Sequence, residues 1–308
     1  MKKYIIFCAL AAALIVYPRP AFSYSSSSNS AMIEPSAKAS ALGGAFASYA
    51  GDPASAYYNP SSLSLGDSVE FSSTYKNLYG LSFMKYGLAC INIPVKKAGN
   101  IGVMWSTFRV DFSPEAWVEN ALYLTYSVRF HSFISAGANL KYLRTSTGLA
   151  GGVSATGAGL DLGLYANPGG ILRVGIMMKN VFSVNTWSTG KEESEPLDSV
   201  LGLSADLGRV IVLIDIENSD RQFLKILKTG AEWNIYNFTM KSRKGFKAVP
   251  VSSSIFIRCG LKQYLVSGKR GIPTAGAGIR ADRIEIDYAY TADGKIGDSH
   301  NFSFGYKF

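Results

Sequence analysis

The sequence predicts an all-β protein: an antiparallel transmembrane β-barrel of about fourteen strands with a short N-terminal plug, or hatch. Three observations predict it. From Ser68 onward, apolar and polar residues alternate with period two in segment after segment. Each such strand meets an apolar medium on one face and a polar one on the other. The polar positions are rich in Gly, Ser and charges of both signs, as a wet lumen requires. Long and short connections also alternate along the chain, as an up-and-down barrel with both termini at one end demands.

Composition narrows the class. The chain has 308 residues, 47% hydrophobic and 17% charged, with 31 Lys+Arg against 22 Asp+Glu. It is too apolar for a disordered chain. Three cysteines form no disulfide framework, and no pair sits at metal-ligand spacing. Lys2 and Lys3 precede an apolar run of 14 residues, Tyr4–Tyr17, which is followed by Pro18-Arg19-Pro20 and Ala21-Phe22-Ser23. That is the pattern of a secretory signal peptide over residues 1–23, cleaved after Ser23. The run falls short of the ~20 residues that a spanning helix needs. Loss of Lys2, Lys3 and Arg19 lowers the net charge of +9 by three. No basic run carries interleaved aromatics, so nucleic acid is not an expected partner. No later run reaches the ~18 apolar residues of a membrane helix.

Residues 24–66 do not alternate. Ser25–Ser28 open the segment, and small residues follow in Ala37-Lys38-Ala39-Ser40-Ala41-Leu42-Gly43-Gly44-Ala45-Phe46-Ala47. Asp52-Pro53-Ala54-Ser55-Ala56-Tyr57-Tyr58-Asn59-Pro60 then reads as a turn and a short helix or two ended by Asn-Pro. About forty such residues are too few for an independent domain. They fit inside the lumen of a wide barrel, so the segment is read as a hatch.

Residues 67–308 form the predicted barrel. Its strands are placed at 68–76, 81–93, 99–110, 119–130, 133–145, 156–167, 171–182, 198–207, 209–217, 226–236, 251–262, 272–281, 283–291 and 299–308. Leu122, Leu124, Tyr126 and Val128 oppose Tyr123, Thr125 and Ser127. Val212, Ile214 and Ile216 oppose Asp215 and Glu217, and Ile255, Ile257 and Cys259 oppose Arg258. Ile284, Ile286, Tyr288 and Tyr290 oppose Glu285 and Asp287. The last strand alternates Phe302, Phe304, Tyr306 and Phe308 with Ser303, Gly305 and Lys307. Aromatics near strand ends fit interfacial girdles. With termini on the periplasmic side, Pro94–Ala98, His131-Ser132, Pro168–Gly170, Gly208 and Asp282 make the tight turns of that side. Asn237–Pro250 breaks the pattern; with Lys241, Arg243, Lys244 and Lys247, it reads as a basic periplasmic loop or an overlong hairpin.

No catalytic, cofactor or metal site is expected. His131 adjoins Ser132 and His300 adjoins Ser299, but sequence neighbours on a strand point to opposite faces, away from proton transfer. Cys90 and Cys259 lie on distant strands, with Cys259 on the lipid side. Parity points Lys85, Lys141, Arg173, Lys228, Arg258, Lys262 and Arg280 inward, with Glu70, Asp161, Asp215, Glu232, Glu285 and Asp287. These charges serve either as ion pairs that hold the hatch and the wall or as a basic clamp for a carboxylate.

The hatch motif Gly43, Gly44, Phe46, Asp52, Pro53, Tyr57, Asn59 and Pro60, with the closing Asp287-Tyr288-Ala289-Tyr290 and terminal Phe308, resembles the FadL-type outer-membrane superfamily, especially its PorV/PorQ branch. The likeness covers both ends well and the middle by strand pattern alone; Ser61-Ser62 follows Asn59-Pro60 where Ala or Gly is usual. It implies a barrel of about fourteen strands in the cell outer membrane, among outer-membrane lipid, with Phe308 as signal to the barrel assembly machinery. In FadL-type proteins the hatch gates uptake of hydrophobic small molecules such as long-chain fatty acids, which leave through a lateral opening. In PorV-type proteins the barrel is an interaction or shuttle protein of a secretion system, holding a periplasmic or secreted protein. A purely structural barrel is the remaining alternative.

Overall fold

The computed structural model describes residues 30, 33–96, 98–219, 224–244, 247–265 and 271–308. The predicted signal peptide and the Ser-rich stretch lie outside the described residues.

Alternation becomes a closed antiparallel barrel of fourteen strands. They are β1 (Glu70–Asn77), β2 (Met84–Val95), β3 (Gly99–Asp111), β4 (Ala116–His131), β5 (Ile134–Thr147), β6 (Val153–Ala166), β7 (Leu172–Trp187), β8 (Asp198–Asp206), β9 (Val210–Ser219), β10 (Leu224–Lys244), β11 (Lys247–Tyr264), β12 (Ile272–Ala281), β13 (Ile284–Thr291) and β14 (Ser299–Lys307). Each strand pairs with its neighbours in sequence, and β1 closes on β14 through a ladder from Glu70↔Lys307 to Asn77↔His300. A two-residue strand, Glu192–Glu193, adds to β7. Closure leaves no unpaired edge, which hydrocarbon would penalise by several kcal/mol per exposed backbone group.

The outer face is apolar. Leu122, Leu124, Tyr126, Leu140, Val212, Ile214, Ile257, Ile286, Phe302 and Phe304 are exposed on it. The alternate positions Thr125, Asn139, Asp161, Asp215, Arg258, Asp287 and Asn301 are buried inside. This inversion of the soluble pattern, polar within and apolar without, suits a wall that faces lipid.

Two departures from the expected wall have clear causes. Asn237–Pro250 is not a loop: Asn237↔Ser254 to Lys244↔Lys247 continue the β10–β11 ladder as an overlong hairpin past the neighbouring turns. A register shift between Asn234 and Tyr236 precedes that extension. Lys85 does not face the lumen. Its neighbours Tyr86, Leu88 and Cys90 are buried inside, while the Lys85 side chain is 49% exposed outside, 3.9 Å from Asp111. The inward face of β2 is apolar because it packs on Phe46 and Tyr58 of the N-terminal segment. The polar-inside rule fails where the lumen holds protein instead of water.

The wall is irregular between β6 and β7. Leu160 pairs with Phe182 but Leu162 pairs with Met178. Lys179, Asn180 and Val181 on β7 therefore all oppose Asp161 on β6. Asn180 takes a left-handed φ of 57° there, which Asn tolerates better than most residues.

Candidate functional site: the occupied lumen

The N-terminal segment builds short elements from local signals. Ser36 caps the helix Ala37–Ala41, its Oγ accepting the Ala39 N–H at 3.4 Å. Gly43 and Gly44 follow with φ of 67° and 82°, a left-handed stop that L side chains resist. A second helix spans Ser55–Tyr58. Asn59 then caps a 3-10 turn, Pro60–Leu65, accepting the Ser61 N–H at 3.2 Å.

Residues 36–49 and 53–63 are buried throughout, against strands around the barrel. Glycines on the inner wall admit the segment's main chain. A Cβ at Gly230 would stand 2.7 Å from Leu42 O, and one at Gly137 would stand 2.6 Å from the Pro60 carbonyl carbon. A Cβ at Gly175 would collide with Ala47 O. Polar wall side chains satisfy the segment's buried backbone. Asp215 Oδ2 accepts the Phe46 and Ala47 N–H groups at 2.8 and 2.9 Å. Thr274 Oγ1 donates to Ala41 O and accepts from Gly43 N; Asn139 donates to Ala56 O and Ser127 donates to Ser61 O.

Two ionic clusters tie the segment to the wall. Lys38, 1% exposed, lies 2.9 Å from both Asp52 and Glu285. Arg258 beside it bonds Glu232 at 2.5 Å and Asp287 at 2.6 Å. In the second cluster Glu34 accepts Lys228 at 2.9 Å and Lys262 at 3.2 Å, and Lys228 also reaches Glu217 at 2.8 Å. Burial pushes the Glu34 carboxyl up, but Lys228 and Lys262 outweigh it and hold it well below the usual carboxylate range.

The structure thus brings Gly43, Gly44, Phe46, Asp52, Pro53, Tyr57, Asn59 and Pro60 into one buried segment. Phe46 stacks on Tyr49 at 4.4 Å, and Asn59 Nδ2 donates to Leu164 O of β6 at 2.9 Å. Lys141, Lys228, Arg258, Glu285 and Asp287 point inward and are each paired with an opposite charge. Arg173 pairs with Asp206, and Arg280 pairs with Glu285 at 3.0 Å with its side chain half-exposed at the barrel mouth. Lys85 stands apart on the outer face. Ser132 and His131 do share a hydrogen bond, 3.2 Å, because both sit at a turn where strand alternation lapses; the pair is exposed, without a third orienting group among the described residues. His300 is exposed beside Tyr288, 2.8 Å from its hydroxyl. Phe308 is exposed, its ring against Tyr306 and its N–H on Val69 O.

At the end opposite the termini, the segment forms the floor of an open recess with a cavity volume of about 70 Å³. Tyr57 of the segment, Tyr86 of β2 and Tyr123 of β4 line it, with Lys141, Lys179 and Asn180 beside the β6–β7 bulge. Asp161 holds the bulge: it accepts Asn180 N–H at 2.8 Å and Lys141 at 2.5 Å. Sequence reasoning missed Lys179, Tyr86 and Tyr123 as site residues. Lys179 was legible by parity, following Arg173, Gly175 and Met177; its surroundings were not.

Comparison with solved structures matches this architecture. The chain is similar to the Pseudomonas putida toluene transporter TodX, at 13% identity and a TM-score of 0.63, over 89% of this chain and 98% of that one. The barrel has the FadL-type fold. The CymD monoaromatic hydrocarbon channel gives 12% identity and a TM-score of 0.61 over 89% and 97% of the two chains. A Pseudomonas aeruginosa FadL homologue gives 11% and 0.58 over 89% and 98%. No family model and no curated protein matches the sequence. At these identities the FadL-type likeness is one of fold.

Proposed function

We propose that this protein is an outer-membrane channel for hydrophobic small molecules, with residues 24–66 as its hatch. The observation that carries the reading is the tyrosine-lined recess above a filled lumen, next to the β6–β7 bulge. A solute entering the recess meets a floor anchored by buried ion pairs and hydrogen bonds. The β6–β7 bulge beside it offers a lateral way out. Similarly folded proteins, a toluene transporter and a monoaromatic hydrocarbon channel, support this class of cargo. Long-chain fatty acids are the other member of that class to test.

The same proposal places the chain in the cell outer membrane after cleavage behind Ser23, with Phe308 read by the assembly machinery. It favours uptake over the interaction role of the PorV/PorQ branch. Initial uptake of radiolabelled toluene and palmitate by intact cells with and without the protein tests it. Uptake of at least one should fall when the protein is removed. Unchanged uptake of both, with a secreted protein co-purifying from native membranes, would overturn it.

A further inference from the structure

The recess is lined by Lys141, Arg144 and Lys179 together with the carboxylates of Glu119, Asp161, Glu195 and Asp198, and deeper in the lumen lysines outnumber carboxylates. Four lysines, Lys76, Lys179, Lys228 and Lys262, gather near two carboxylates, Glu34 and Glu217. Glu34 and Glu217 are taken by Lys228 and Lys262. Among the described residues Lys76 bonds neutral oxygens, Glu34 O at 3.2 Å and Ser40 Oγ at 3.4 Å. Lys179 Nζ lies 3.9 Å from the centre of the Tyr57 ring, and among the described residues no carboxylate stands within ion-pair distance of it. The carboxylates at the recess are otherwise engaged. Asp161 is held by Lys141 and Asn180, and Glu119 accepts from Ser30 N and Trp117 Nε1. Asp198 is bonded to Ser219, and Glu195 has its own partner.

A half-buried ammonium over a ring gains some cation–π attraction, but this does not replace the solvation it has lost. Strand parity carries Lys179 inward, in register with Asp198 across the ladder and next to the β6–β7 bulge. Tyr57 meets Tyr123 edge-on at 6.2 Å, and Tyr86 completes the aromatic lining. Flat rings pack on such edges and faces better than flexible chains do.

We propose that the recess binds small aromatic carboxylates, with the ring against Tyr57, Tyr86 and Tyr123 and the carboxylate on Lys179. This rests on the uptake reading and specifies its substrate class. A purely hydrocarbon cargo would leave Lys179 desolvated and uncompensated; an aromatic acid supplies the missing counter-charge.

Calorimetric titration of the full mature protein in mild detergent tests this with benzoate, toluene and cyclohexanecarboxylate as probes. Wild type should bind benzoate about tenfold or more tighter than either of the others, the scale of one charged hydrogen bond or one good aromatic contact. Lys179→Met should lose that preference of benzoate over toluene, and Lys179→Arg should keep it. Should Lys179→Met fail to form a barrel, the wild-type ranking of the three probes decides. Toluene binding without benzoate binding would sink this proposal and leave the channel reading intact. Equal affinity for benzoate and cyclohexanecarboxylate would refute the aromatic requirement, and benzoate affinity unchanged in Lys179→Met would refute the role of the lysine. If no probe binds, this proposal falls, and the uptake of toluene and palmitate decides the channel reading by itself.

Discussion

Gly175 admits Ala47 O against the wall, and any side chain there would displace it. Gly175→Val should therefore dislodge the N-terminal segment without opening the wall. The expected outcome is a several-fold rise in single-channel conductance, with unchanged β-sheet circular dichroism. Asp215 offers one oxygen to two buried N–H groups, and its other oxygen has no partner. Asp215→Asn exchanges that charged acceptor for a weaker one and should weaken docking by about 1–3 kcal/mol, read as faster protease cleavage within 33–66. Lys85→Gln is the contrast: an exposed side chain 3.9 Å from Asp111 should change thermal stability by no more than about 0.5 kcal/mol. Parity and the apolar-out rule were enough to place Lys141, Arg258 and Asp287 inside. They misplaced Lys85 because contact with Phe46 and Tyr58, invisible in the local pattern of β2, makes its inner face apolar.

At the scale of elements, the β10–β11 hairpin divides into wall and extension. Residues 240–244 pair only with 247–251, beyond the ladders that β9 and β12 provide. Replacing 240–251 by a tight turn should leave the barrel folded, seen as retained heat-modifiable migration in gel electrophoresis. The β6–β7 bulge has the opposite standing, since Asp161 fixes it through Asn180 and Lys141. Asp161→Ala leaves Lys141 without its counter-ion inside the wall, a change that costs ~3–5 kcal/mol for a buried pair. Chemical denaturation in detergent should show a destabilisation on that scale. Strand existence was readable from period two, and the long hairpin was among the readings of Asn237–Pro250. The bulge was not legible, because a three-against-one register depends on what the partner strand offers.

For the whole molecule, wall and N-terminal segment are joined by charge. Glu34 has its folded-state pKa depressed from an ordinary 4.5, since Lys228 and Lys262 outweigh burial. A depressed carboxyl contributes stability above its unfolded value, and that contribution is lost as pH falls toward the folded one. The segment should therefore hold firmly at neutral pH and loosen progressively below about pH 4.5. Proteolysis of 33–66 with an acid-stable protease across that window checks the sign. Glu34→Gln should weaken the pH dependence, leaving the share carried by Lys38 with Asp52 and Glu285, while lowering protection at neutral pH.

The order of residues by itself determined that the chain makes strands, that their two faces meet different media and that they are about fourteen. Those are local properties, set by side-chain polarity at alternate positions and by turn residues between them. The same order marked Gly43 to Pro60 as a non-strand segment of small and aromatic residues. Only the tertiary structure decided which lumen charges neutralise one another and which lysines are left over. Ion pairing is settled by distances of a few ångströms between residues such as Glu34 and Lys262, far apart in the chain and neighbours once the barrel has closed around its own N-terminal segment.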